Sequence, residues 1–160
     1  MMLLTAMLMT YAMGNAQDSG KLESSGKPSA TQNEKFAMGL GYPYLSAKYK
    51  FIPELAVEAR VATGEGISVY GGRMYWNFYF PTESIGLFTG VEYGRIQFNT
   101  LGLNGTGHEV ALLVGGEFFI SQQFSLHLDI APSFISLNSN KVSAQGIEWV
   151  TNAAIYGYIF

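Results

Sequence analysis

At 160 residues, with 13% charged residues, a formal net charge of −3 and no cysteine, the chain has about half the charge density of an ordinary soluble protein. The missing cysteines exclude disulfides, thiol catalysis and thiolate metal sites, and without a basic stripe or an arginine cluster there is no nucleic-acid surface. Aromatics at 14% and 19 glycines suit a β-protein facing lipid, yet beyond residue 13 no run is apolar for the roughly 18 positions a membrane helix needs, so any crossing must be made by strands.

Residues 1–13, MMLLTAMLMTYAM, have the length of a signal-peptide core, and Gly14-Asn15-Ala16 supplies the small residues a cut after Ala16 requires. A signal peptide over 1–16 is expected, although no Lys or Arg precedes the apolar run. Residues 17–35 then turn polar, hold six of the 21 charges and lack any aromatic. Such a segment cannot bury enough apolar area to offset its ordering entropy, which predicts a flexible linker on the periplasmic side.

From residue 36 onward the period changes to two, the signature of strands with two different faces. Three breaks share an aromatic, then Pro or polar residues, then an apolar residue: Phe51-Ile52-Pro53-Glu54-Leu55, Phe80-Pro81-Thr82-Glu83-Ser84-Ile85 and Phe119-Ile120-Ser121-Gln122-Gln123-Phe124. They predict tight turns on one rim. Breaks rich in Gly, Asn, Ser and Thr, at 63–66, 99–107 and 138–146, predict loops on the other. Strands are therefore expected at 44–51, 55–63, 67–80, 85–98, 108–120, 124–137 and 147–160. An eighth at 36–42 turns at Gly41-Tyr42-Pro43, because bacterial single-chain barrels have even strand numbers. The expected fold is all-β, an antiparallel up-and-down transmembrane β-barrel of eight strands over residues 36–160.

The two faces differ in chemistry. One parity carries Leu55, Val57, Met74, Trp76, Val91, Val110, Leu112, Leu128 and Ile130 without a charge. It ends in aromatics at both rims, Phe51, Phe78, Phe80 and Phe124 at one and Tyr70, Tyr93 and Phe134 at the other, as interfacial girdles do. The other parity carries Lys48, Lys50, Arg60 and Arg73 against Glu58, Glu92, Glu117 and Asp129, together with His127 and several glycines. A charge inside a narrow barrel is desolvated unless paired, so these nine residues are expected to form a lumen network that plugs the barrel against general solute transport.

The pattern resembles that of the small eight-stranded outer-membrane barrels, the OmpA-like and OmpX-like superfamily. The resemblance covers residues 36–160 and rests on Gly39-Leu40-Gly41-Tyr42, Tyr70-Gly71-Gly72-Arg73, Gly115-Gly116-Glu117-Phe118-Phe119 and the terminal Tyr156-Gly157-Tyr158-Ile159-Phe160. It implies that Tyr156, Tyr158 and Phe160 are an outward-facing signal for the barrel-assembly machinery, and that the role is structural or surface-related. Parity counted back from Phe160 then puts Tyr158, Tyr156 and Ala154 against lipid and Ile155, Ala153 and Thr151 inside. Outer-membrane lipid and lipopolysaccharide are the expected surroundings, near which Arg95 and Gln97 fall, and the expected state is a monomer.

Candidate sites are few. His127 and Asp129 share a face, with Ser125 or Ser133 nearby, but neighbours two apart on a strand stand about 7 Å from each other, too far for the direct hydrogen bonds of a triad. His108 is remote from His127, and Asn104-Gly105 reads as a turn. No enzyme, cofactor or metal is expected. The alternatives are a lipid A-modifying enzyme of the deacylase or acyltransferase type and a soluble periplasmic ligand-binding barrel.

Overall fold

The computed structural model describes residues 35–82, 84–100 and 103–159, with the side chains of 79–82 and 100 left out. The expected signal peptide and nearly all of the linker lie outside the described residues, as does Phe160. Eight strands follow one another: β1 (Phe36–Gly41), β2 (Tyr44–Ile52), β3 (Leu55–Gly64), β4 (Ile67–Thr82), β5 (Ile85–Thr100), β6 (Leu103–Phe119), β7 (Phe124–Ser139) and β8 (Ser143–Ile159). Each is antiparallel to the next, and β1 also pairs with β8, so that one sheet closes into a ring.

The pairing fixes the geometry of that ring. Starting at Met38, the ladder runs through Ala47, Ala59, Gly72, Tyr93, Val110 and Phe134 to Ile147. The β8 residue opposite Met38 is Gly157, ten positions further on. A stagger of ten residues over eight strands, with a rise of about 3.3 Å and a spacing of about 4.8 Å, tilts the strands by about 40°. An interior of that size is filled by side chains.

Of the expected strand 36–42, the least patterned of the set, residues 36–41 form β1, hydrogen-bonded on both sides, and Tyr42 already belongs to the turn. Its inward positions are Ala37, Gly39 and Gly41, and the reason is space. A Cβ on Gly39 would strike the Tyr156 ring and the Ser46 hydroxyl, and one on Gly41 would strike the Tyr44 ring. Two bulky side chains from β2 and β8 therefore lie over β1.

The far rim, opposite the chain ends, differs from expectation. Residues 99–107 and 138–146 are for the most part strand rather than loop: the ladder continues through Asn99↔Asn104 and Thr100↔Leu103, and through Asn138↔Ser143. Backbone hydrogen bonds hold these segments as strands even where polar side chains and glycines give no alternation. At the β3–β4 turn Glu65 and Gly66 both have positive φ, 37° and 83°, the backbone of a two-residue hairpin whose twist matches its strands. The ring is consequently uneven in height. β1 stops at Gly41 opposite Ala154, while β8 continues from Ala153 back to Ser143, paired among the described residues with β7 alone.

The terminal strand also corrects an expectation. Ser125 stands opposite Tyr156, His127 opposite Ala154 and Asp129 opposite Asn152. Directly opposed residues share a face, so the inward Ser125, His127 and Asp129 carry Tyr156, Ala154 and Asn152 inward with them. Tyr156 and Tyr158 are buried in the lumen, and Ile155 and Ile159 point outward. Counting from the C-terminal aromatic inverted the strand because over residues 153–159 both parities are apolar apart from the tyrosine hydroxyls, and the polar Asn152 that marks the inward parity lies further up the strand.

Close packing inside this ring predicts an asymmetric response to small substitutions. A Cβ on the inward Gly115 would collide with the Leu128 carbonyl and the Phe88 ring and lie 2.8 Å from Asp129 Cβ; on the outward Gly116 the nearest atom is Leu87 Cδ2 at 3.4 Å. Gly115→Ala is expected to lower stability by about 1–3 kcal/mol and Gly116→Ala to be close to neutral, as read by thermal unfolding.

Candidate functional site

The nine residues expected to build the lumen network all point inward, and they are joined by partners that parity alone did not name. In the half toward the far rim, Arg60 on β3 places Nη1 2.8 and 3.0 Å from the two carboxylate oxygens of Glu92 on β5. Glu92 also accepts from Arg73 Nε on β4 at 2.8 Å. Arg73 Nη1 reaches Asp129 on β7 at 2.8 Å, Asn152 on β8 donates to Asp129 at 2.7 Å, and Arg60 Nη2 donates to Asn152 Oδ1 at 3.1 Å. The five side chains form a closed circuit drawn from five strands.

Nearer the chain ends, two carboxylates are held by hydroxyls. Glu58 accepts from Tyr75 and, at 2.6 Å, from Tyr156. Glu117 pairs with Lys48 at 2.9 Å and accepts from Ser125 at 2.6 Å and from Tyr158. The Lys48 ammonium also lies 4.6 Å from the centre of the Tyr156 ring, and that of Lys50 lies 4.2 Å from the centre of the Tyr158 ring. These cation–π contacts satisfy ammonium groups where water is excluded.

His127 is fully buried. Its ring stacks on Phe88 at 4.4 Å between centroids, with the Tyr75 and Tyr156 rings around it. The distance argument against a His127–Asp129 contact fails, because Nε2 lies 3.2 Å from Asp129 Oδ2. Strand neighbours two apart can meet when both side chains lean along the strand, and the turn of the imidazole makes up the rest. Neither serine completes a triad: Ser125 donates to Glu117 and Ser133 to Glu109. His108 sits on the outer face, where its Nδ1 meets the Tyr93 hydroxyl at 2.8 Å. Among the described residues there is no cluster of three or more His, Cys, Asp or Glu able to hold a metal.

The expected girdle residues Phe51, Phe78, Phe124, Tyr70, Tyr93 and Phe134 are all about half exposed on the outer face. The Phe80 side chain lies outside the described residues. Sequence reasoning overlooked Glu109, Asn152, Ser46 and Tyr44 as inward polar residues, and placed Tyr156 and Tyr158 on the wrong side. Parity from Glu117 would have found Glu109; pairing β7 with β8 at His127 would have found Asn152. Comparisons with protein-family models, curated proteins and solved structures find no match for this chain.

The circuit makes charge loss costly and paired loss tolerable. Arg73→Met leaves Asp129 without its cation in a dry interior and is expected to cost about 3–5 kcal/mol. Arg73→Met combined with Asp129→Asn removes the stranded charge, leaves Glu92 to Arg60, and should recover most of that loss in thermal unfolding. Tyr156→Phe should cost about 1–3 kcal/mol by leaving Glu58 short of a donor, whereas an outward-facing tyrosine at that position would tolerate the change.

Proposed function

We propose that the chain is an integral outer-membrane β-barrel, non-enzymatic, with a structural or surface-interaction role and a lumen plugged by its ion-pair network. The observation that carries the reading is the inverted polarity of the ring. Arginine, lysine and carboxylate side chains are buried inside, and Met38, Leu45, Val91, Leu112, Val114, Leu128 and Ile155 are exposed outside. Water-soluble monomers rarely expose a contiguous apolar patch of more than a few hundred Å². Here an apolar band encircles the wall, and lipid is the solvent that suits it.

The aromatic residues give that band edges of the right separation. Phe124 and Phe134 lie ten residues apart on β7, which at about 3.3 Å per residue and about 40° of tilt is a height of about 25 Å, the thickness of the apolar belt of outer-membrane barrels. No described outward residue between these levels is charged; Arg95 lies beyond Tyr93 on the far-rim side, where lipopolysaccharide phosphates would meet it. The far rim then faces outward, short turns and chain ends face the periplasm, and the signal peptide delivers the chain there.

The enclosure of His127 favours this reading over a lipid A deacylase or acyltransferase, since its imidazole lies beneath aromatic rings and the neighbouring Ser125 and Ser133 hydroxyls donate to Glu117 and Glu109 instead. Separation of bacterial envelopes should place the protein in the outer membrane, and unboiled and boiled samples should migrate differently on a detergent gel. Full solubility without detergent and identical mobility would refute the proposal. On expression, an altered lipid A acylation pattern abolished by His127→Ala would establish the enzyme instead.

A further inference from the structure

Above the closed circuit, toward the far rim, the lumen opens into a cavity of about 140 Å³. Pro43 and Tyr44 flank it on one side of the low seam and Val150 and Asn152 on the other, with Arg60, Glu92 and Glu109 around it. We propose that this cavity binds a small organic monocation, a primary ammonium carrying a hydroxyl or similar hydrogen-bonding group.

The size, the free polar atoms and the charge each point the same way. An apolar cavity of about 150 Å³ accommodates a benzene ring, so the space suits a ligand of roughly six heavy atoms. The backbone keeps it open: Gly71 and Gly94 stand opposite each other on β4 and β5, both inward, and a Cβ on Gly71 would come within 3.5 Å of Glu92 Oε1 and one on Gly94 within 3.6 Å of Glu109 Oε2. Two of the lining residues each hold a buried polar atom without a hydrogen-bond partner among the described residues, the hydroxyl of Tyr44, which is 3% exposed, and Arg60 Nε. Buried polar groups of native proteins are satisfied in all but a few cases. A ligand hydroxyl seated beside Tyr44 would give the tyrosine hydroxyl its missing partner.

Charge selects the other end of the ligand. Arg60 and Arg73 are matched by Glu92 and Asp129 in the circuit, and Arg60 also stacks on the Tyr44 ring, 3.4 Å from its centre. Glu109 is a further carboxylate, whose described hydrogen bond comes from the neutral Ser133 hydroxyl. The lining thus has one acid more than its cations match, so an ammonium gains a partner and an anion meets two carboxylates. Access is from the far rim or sideways at the seam, where β8 runs on without β1.

Ethanolamine is the probe. Titrated into the folded full-length protein in detergent, and followed by calorimetry and by amide NMR shifts at residues 44, 60 and 109, it should saturate in the millimolar range, while ethylene glycol and acetate should not bind. Glu109→Gln should weaken binding at least tenfold and Gly71→Leu should abolish it by filling the cavity. Both variants are first checked for native heat-resistant mobility; if either fails to fold, Tyr44→Phe, expected to weaken binding about threefold to tenfold, takes its place. If phosphatidylethanolamine added to the micelles competes with the titration, the ammonium belongs to a lipid head group; if it does not, the ligand is a free amine. Absence of saturable binding, equal binding by Glu109→Gln, or binding of acetate as strong as that of ethanolamine would overturn the proposal.

Discussion

A charge withdrawn from water must find its counter-charge within hydrogen-bond reach, and the interior of this ring is organised by that requirement. Arg60, Glu92, Arg73, Asp129 and Asn152 come from β3, β5, β4, β7 and β8, so their circuit ties together five of the eight strands at one level of the lumen. A shift of one strand by a single residue would turn its member of the circuit to the outer face and leave its partners unpaired. The ion pairs therefore specify register more than they add net stability, since the desolvation of five polar side chains consumes most of what their attraction returns.

Two other carboxylates, Glu58 and Glu117, are managed differently, and the difference follows from what lies nearby. Glu58 and Glu117 sit among tyrosines, whose hydroxyls donate to the carboxylate while their rings fill space and face the Lys48 and Lys50 ammonium groups. Tyrosine does two tasks at once in so narrow a lumen. It also explains the small residues of β1: Ala37, Gly39 and Gly41 leave the room that the Tyr44 and Tyr156 rings occupy. The weakest strand by pattern is thus the one whose side chains had to be smallest, and its two ladders supply what side-chain packing does not.

The proposed membrane setting places constraints on the uneven height of the wall. Irregular or unpaired backbone is unfavourable in hydrocarbon, and β8 beyond Ala154 lacks a neighbour on the β1 side. Ala154 stands opposite His127, three residues along β7 from Phe124, so this edge begins within the proposed apolar belt and runs up to its outer side. The long β5–β6 and β7–β8 hairpins stand clear of the belt, while the seam beside them stays low. The same asymmetry that exposes this edge leaves the cavity beside Tyr44 and Asn152 open toward the seam.

Much of this was readable from the chain itself, because period-two alternation is a local consequence of strand geometry. Seven of the eight strands, the turn positions at the near rim, the inward set from Lys48 to Asp129 and the outward aromatics all follow from residues within one strand, while the eighth rested on the even strand number of such rings. What tertiary structure decided were relations between strands. Which acid meets which arginine depends on the stagger of ten residues, a property of the closed ring that no single segment carries. The far-rim strands were hidden because ladder hydrogen bonds belong to the backbone and leave no mark on glycines and asparagines. The facing of Tyr156 and Tyr158 was decided by β7, through the opposition of Ser125 and Tyr156, at the end of a strand where both parities carry apolar residues. Alternation determines that a strand has two faces; only its neighbour determines which of two similar faces turns inward.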